Sequence, residues 1–121
     1  MIVYMSLVGN TRKFVNKINE PSVELTIDNS LDLVMTKPYI LIVPTYSEET
    51  SDIVRDFLEN ETNRRLCKGI FGAGNRNFAQ LFCYTAKDLS KEFDLPLLHL
   101  FEFQGSPVDV EKLEKELETI V

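Results

Sequence analysis

Tyr39-Ile40-Leu41-Ile42-Val43-Pro44 is the stretch that decides the fold. Five consecutive apolar residues leave no polar side for water, so the segment reads as a strand buried on both faces, as in a parallel sheet. Pro44 ends it, because proline cannot donate to a central ladder. Working outward, Ile2-Val3-Tyr4-Met5 is a second short apolar run, stopped by Ser6 and Gly9, and a helix is expected from Thr11 with Phe14, Val15 and Ile18 on one face. Glu20-Pro21 closes that helix. Val23, Leu25 and Ile27 alternate with polar residues, the pattern of a half-exposed edge strand, while Asp28 to Lys37 matches neither period.

Beyond Pro44, Ser51 and Asp52 are candidate caps for a helix whose Ile53, Val54, Phe57 and Leu58 form a stripe reaching toward Leu66. Gly69 to Gly74 reads as a strand with small residues at its exit, Phe78, Leu81, Phe82, Leu89 and Phe93 as a helical stripe, and Leu97 to Phe103 as the last strand. Ser106 as cap, Pro107 at the first position and Asp109 in capping-box place open a final helix that buries Val110, Leu113, Leu117 and Ile120. The order βαββαβαβα implies one α/β domain over residues 1–121, a doubly wound five-stranded parallel sheet of order 2-1-3-4-5 with helices on both faces. Ligands of such sheets bind where the order reverses, beyond the carboxyl ends of the strands.

Composition narrows the function classes. The chain has 121 residues, 44% hydrophobic and 26% charged, and no run approaches the ~18 apolar residues of a membrane span. The N-terminus lacks the basic head of a secretory signal, so a cytoplasmic protein is expected. A net charge of −6 repels phosphate backbones, and nucleic acid is not expected as a partner. Arg64-Arg65 with Lys68 reads as the cationic end of a helix. Cys67 and Cys83 form no CxxC pair and sit in apolar surroundings, as buried free thiols would. His99, the single histidine, has no partner at ligand spacing and is expected in the core or at a sheet edge; no metal site is expected.

Three loops fall at the carboxyl edge. Ser6-Leu7-Val8-Gly9-Asn10-Thr11 leads into a helix, where hydroxyls, backbone N–H groups and the positive dipole end suit a phosphate; the same residues would serve equally as a turn and a cap. The loop carries no lysine, which disfavours a Walker-type site. Thr45-Tyr46-Ser47-Glu48-Glu49-Thr50 offers an aromatic for a flat ring. Gly74-Asn75-Arg76-Asn77-Phe78 offers close backbone approach and amides for a heterocycle edge, with Phe78 either on the ring or at the start of the core stripe.

These motifs together, S-x-x-G-N-T at 6–11, YILIVPTY at 39–46, G-N-R-N-F at 74–78 and LPLLHLFEFQG at 95–105, resemble the NrdI family, from the first strand to the FEFQGS segment at Phe101 to Ser106. The resemblance implies a flavodoxin-like fold holding FMN. The phosphate would lie on Ser6, Leu7, Val8, Gly9, Asn10 and Thr11, and the isoalloxazine would lie between Thr45, Tyr46, Ser47 and Gly74, Asn75, Asn77, Phe78. It implies an accessory redox flavoprotein, with no catalytic side chain, that passes an oxidant of the superoxide type to the small subunit of class Ib ribonucleotide reductase. There a dimanganese–tyrosyl radical centre is assembled. A flavodoxin reductase or similar donor would supply electrons, and the chain alone would be a monomer. Val8 stands where flavodoxins usually carry a hydroxyl, and residues 45–51 contain no glycine, which raises the cost of a backbone flip toward reduced flavin. Less stabilisation of the half-reduced cofactor than in a flavodoxin is therefore expected.

Competing readings differ at definable positions. A general flavodoxin electron carrier would use the same loops. A receiver domain needs carboxylates where the chain has Met5-Ser6 and Pro44-Thr45. A flavin-free interaction domain is suggested only by Val8 and the glycine-free loop.

Overall fold

A computed structural model describes residues 1–7, 9–45, 48–75 and 83–120, with residues 48–50 described by their backbone alone. Its elements in chain order are β1 (Ile2–Tyr4), α1 (Asn10–Asn16), β2 (Ser22–Glu24), β3 (Tyr39–Val43), α2 (Glu48–Glu59), α3 (Glu61–Leu66), β4 (Cys67–Gly74), α4 (Tyr84–Phe93), β5 (Leu97–Glu102) and α5 (Pro107–Thr119). The strands form one sheet of order β2-β1-β3-β4-β5, every pair parallel, as the sequence predicts. Tyr39 to Val43 are all fully buried at its centre.

Alternation along the strands divides the apolar residues between two cores. Val3, Met5, Tyr39, Leu41, Val43 and Ile70 face α2 and α4 through Val54, Phe57, Leu58, Ala86 and Leu89. Ile2, Tyr4, Ile40, Ile42, Phe71 and Phe101 face α1 and α5 through Phe14, Val15, Leu113 and Leu117. With both faces covered, the central strands show the continuous apolar runs typical of parallel sheets. Gly72 sets the depth of α4: a Cβ there would lie 2.5 Å from Ala86 Cβ, so only glycine lets the helix lie this close to β4.

Several boundaries differ from the sequence reading, among them the end of α1, at Asn16 rather than at Glu20-Pro21. The edge strand stops at Glu24; Leu25 is buried but Ile27 is 78% exposed, because the chain turns instead of continuing its alternation. Asn29 organises that turn, accepting from the Thr26 N–H and donating to Glu24 O. Helix α2 begins at Glu48, before the candidate caps Ser51 and Asp52, and Ser51 is buried within it. The helix does not run through to Leu66: Asn60 caps a separate α3, its side chain accepting from the Asn63 N–H at 3.1 Å. Arg64 then reaches back to the carbonyls of Leu58 and Glu59, so this cation serves the C-terminal end of α2. Strand β4 begins at Cys67, not Gly69. Strand β5 ends at Glu102, because Phe103 takes a left-handed backbone, φ 52°. The expected stripe members Phe78, Leu81 and Phe82 lie outside the described residues.

The expected cap, buried cysteines and edge-strand histidine are in place. The capping box of α5 is complete. Cys67 and Cys83 are buried thiols that form no disulfide with each other, and burial pushes the Cys67 thiol up to about 11. His99 is half-buried on the edge strand β5, its ring 5.5 Å from that of Phe71. Among the described residues no helix is long and apolar enough to cross a membrane, and no group of His, Cys, Asp and Glu could hold a metal ion.

Candidate functional site

Strand pairing brings the predicted loops together. Tyr4 of β1 is opposite Ile42 of β3, and Val43 of β3 is opposite Gly72 of β4, so the three exits emerge side by side at one edge. The loop after β3 is tied to the end of β4, the Thr45 hydroxyl donating to Ala73 O at 2.7 Å. The sheet order reverses at β1, which has β2 on one side and β3 on the other. This is the crevice in which doubly wound sheets hold ligands.

The first loop has the chemistry of an anion cradle. Gly9 is the N-cap of α1 with φ 93°, and a Cβ built on it would meet nothing within 4 Å, so the space beside its backbone is open. No side chain caps α1 from Gly9, and its first turn carries no acidic residue. The positive end of the helix is therefore left without a countercharge from that turn, and the first N–H groups have no intrahelical acceptor. Ser6 Oγ accepts the Arg12 N–H at 3.3 Å, which leaves the hydroxyl proton available to donate outward. Thr11 is buried, Ser6 and Asn10 are partly exposed, and Leu7 is exposed. At the other exits, Thr45, Gly74 and Asn75 are partly exposed. The candidates Val8, Tyr46, Ser47, Asn77 and Phe78 lie outside the described residues.

Sequence reasoning missed an ion pair beside this cradle. Arg12 forks onto Glu24 at the end of β2, Nε to Oε1 at 2.9 Å and Nη2 to Oε2 at 2.8 Å. The fork holds the Glu24 carboxyl below its ordinary value, and burial followed by the neighbouring Glu24 raises the Tyr4 hydroxyl. The cation next to the anion cradle is thus already neutralised, so the loop relies on hydroxyls and backbone N–H groups. The signal was available, since Arg12 directly follows the loop and Glu24 ends the strand beside β1. Another missed feature is Thr85 in the first turn of α4, whose hydroxyl is buried with no hydrogen-bond partner among the described residues. The donor set and open glycine fit a phosphate-bearing ligand.

The family model described as NrdI flavodoxin-like matches residues 2–115. The NrdI protein of Mycoplasma genitalium is 33% identical over 95% of this chain and 80% of its own length. That of Mycoplasmopsis pulmonis is 34% identical over 98% and 83%, and that of Streptococcus pyogenes 36% over 94% and 74%. Among solved structures, a short-chain flavodoxin associated with a bacterial microcompartment superposes with a TM-score of 0.61 at 16% identity, covering 98% of this chain and 93% of that one, which shows the shared fold. The chain belongs to the NrdI flavodoxin-like family.

Proposed function

We propose that this chain binds FMN at the carboxyl edge of its sheet and serves as the redox activator of the class Ib ribonucleotide reductase small subunit. The family match over residues 2–115 carries this reading. Ser6, Gly9, Asn10 and Thr11 would hold the phosphate, with Leu7 and Val8 contributing backbone. Thr45, Tyr46, Ser47, Gly74, Asn75, Asn77 and Phe78 would bracket the ring system. Bound FMN supplies electron transfer to oxygen, and the resulting oxidant serves radical-centre assembly on the partner.

The protein's own share is positioning. The Thr45 to Ala73 hydrogen bond keeps two exits in register, and the open Gly9 backbone leaves room for the phosphate. The Arg12–Glu24 fork withholds a full positive charge from the site. Electrons would come from a flavodoxin reductase or similar protein.

The test is a visible absorption titration of the purified chain with FMN, followed by stepwise anaerobic reduction and by aerobic incubation with manganese-loaded small subunit. Shifted flavin bands and tyrosyl radical formation are expected. Flavin binding without radical formation, with efficient electron passage to other acceptors, would leave a general electron carrier. Absence of flavin binding at micromolar protein would overturn the site itself.

A further inference from the structure

The Arg12–Glu24 fork bears on which flavin nucleotide the proposed site accepts. A Cβ built on Gly9 meets nothing within 4 Å, and Ser6 and Asn10 beside it are partly exposed. Open space on that side leaves room for a phosphate that carries a further ester. Shape there does not separate a flavin mononucleotide from a dinucleotide.

Charge does separate them. The dinucleotide brings a second phosphate, which binds well only where a cation with free donors meets it. Arg12 is placed to be that cation: it directly follows the loop, and its backbone N–H donates to Ser6 Oγ at 3.3 Å, so its side chain starts at the cradle. The guanidinium is instead committed to Glu24, Nε to Oε1 at 2.9 Å and Nη2 to Oε2 at 2.8 Å, which engages both carboxylate oxygens. Glu24 is itself held in place, since it ends β2 opposite Tyr4 of β1 and its carboxylate lies against the Tyr4 hydroxyl. The carboxylate that occupies Arg12 is therefore fixed by strand register, not by a loop.

We propose that Glu24 determines nucleotide specificity: by holding Arg12 it denies a cation to a second phosphate, and the site takes FMN in preference to FAD. This rests on the proposed function, which puts the first phosphate on residues 6–11. Glu24 acts through Arg12 and touches no flavin atom. Lys13, the other cation of that turn, is exposed and stays the same in every variant tested.

Wild type, E24Q and R12Q/E24Q, each freed of flavin, would be titrated with FMN and with FAD by absorption and fluorescence at low and moderate salt. Wild type should bind FMN roughly tenfold more tightly than FAD, the worth of one charge-assisted contact to phosphate. E24Q should leave FMN affinity within about twofold and tighten FAD roughly tenfold at low salt. That gain comes from a full cation, so it should shrink at moderate salt, and R12Q/E24Q should lose it. Equal wild-type affinity for the two nucleotides would overturn the proposal and leave the flavin site standing, as would wild-type FAD affinity in E24Q. A gain that persists in R12Q/E24Q would also overturn it, assigning the effect to Lys13 or to loss of the Glu24 charge. Weaker FMN binding in E24Q would make the fork a brace of the loop, and equal tightening of both nucleotides would put Arg12 on the first phosphate; either result ends the specificity role. Wild type that binds neither nucleotide would overturn the flavin site itself and this proposal with it.

Discussion

Asn63 is fully buried and uses its whole amide. Its Oδ1 accepts from Met35 N–H at 2.7 Å, its Nδ2 donates to Leu33 O at 2.8 Å and Phe57 O at 3.0 Å, and its backbone carbonyl accepts from the Tyr39 hydroxyl. One side chain thereby ties the irregular crossover between β2 and β3 to α2 and α3. Replacing it by alanine leaves a donor and two acceptors unpaired in the core, and each such group costs about 1–3 kcal/mol. Asn63→Ala is expected to lose at least about 3 kcal/mol in urea unfolding, and a loss under 1 kcal/mol would show that water replaces the amide. Thr85 is the reverse case. Its buried hydroxyl lacks a partner among the described residues, so Thr85→Val, which keeps the shape, should raise stability by about 1 kcal/mol. Should the same variant instead weaken FMN binding, the hydroxyl contributes to the ligand site rather than to the fold.

At the scale of elements, the capping box of α5 was readable because its signal lies within four residues. Ser106 N–H and hydroxyl both donate to Asp109 Oδ2, at 2.8 and 2.9 Å, and Asp109 Oδ1 lies 2.6 Å from His99 Nε2 on β5. Burial alone would raise the Asp109 carboxyl, but the bonds from His99 and Ser106 outweigh it and hold the group below its ordinary value. A carboxyl depressed by folding stabilises above its unfolded value, near 3.8, and that contribution is lost as pH falls through the folded value. Asp109→Asn should therefore be less stable than wild type at pH 7, by about 1 kcal/mol, and the gap should close toward pH 3. A gap constant with pH would mean that the carboxylate charge contributes nothing. The crossover at 25–38 was not legible for a related reason: no local period specifies it, and its anchor is Asn63, 28 residues from Met35. The break between α2 and α3 did have a local signal in Asn60, masked by an apolar stripe that continues across it to Leu66. Phe103 looked like the end of a strand because the left-handed turn there depends on Gly74 of the neighbouring strand.

At the scale of the whole molecule, fold and site follow from one topological fact, that the chain leaves β1 for one edge and returns on the other side as β3. The central apolar run and the alternation of strands with helices made this legible. They also located the three loops without showing how any side chain in them is held. If the loop at 6–11 binds phosphate, the ligand's effect on stability must depend on that phosphate. FMN at a hundred times its dissociation constant should add about 2.7 kcal/mol, a rise of about 3 to 6 °C in melting temperature for each kcal/mol in a chain of this size. Riboflavin, with the same ring and no phosphate, should produce less than half that rise at equal concentration in a thermal melt. Because Arg12 is forked onto Glu24, the FMN effect should change little between low and moderate salt, since hydroxyls and backbone N–H groups are weakly screened compared with a full cation. Equal protection by riboflavin would remove the phosphate from the loop. A steep salt dependence would instead mean that Arg12 leaves Glu24 for the ligand, and Glu24→Gln would then tighten FMN binding rather than leave it unchanged.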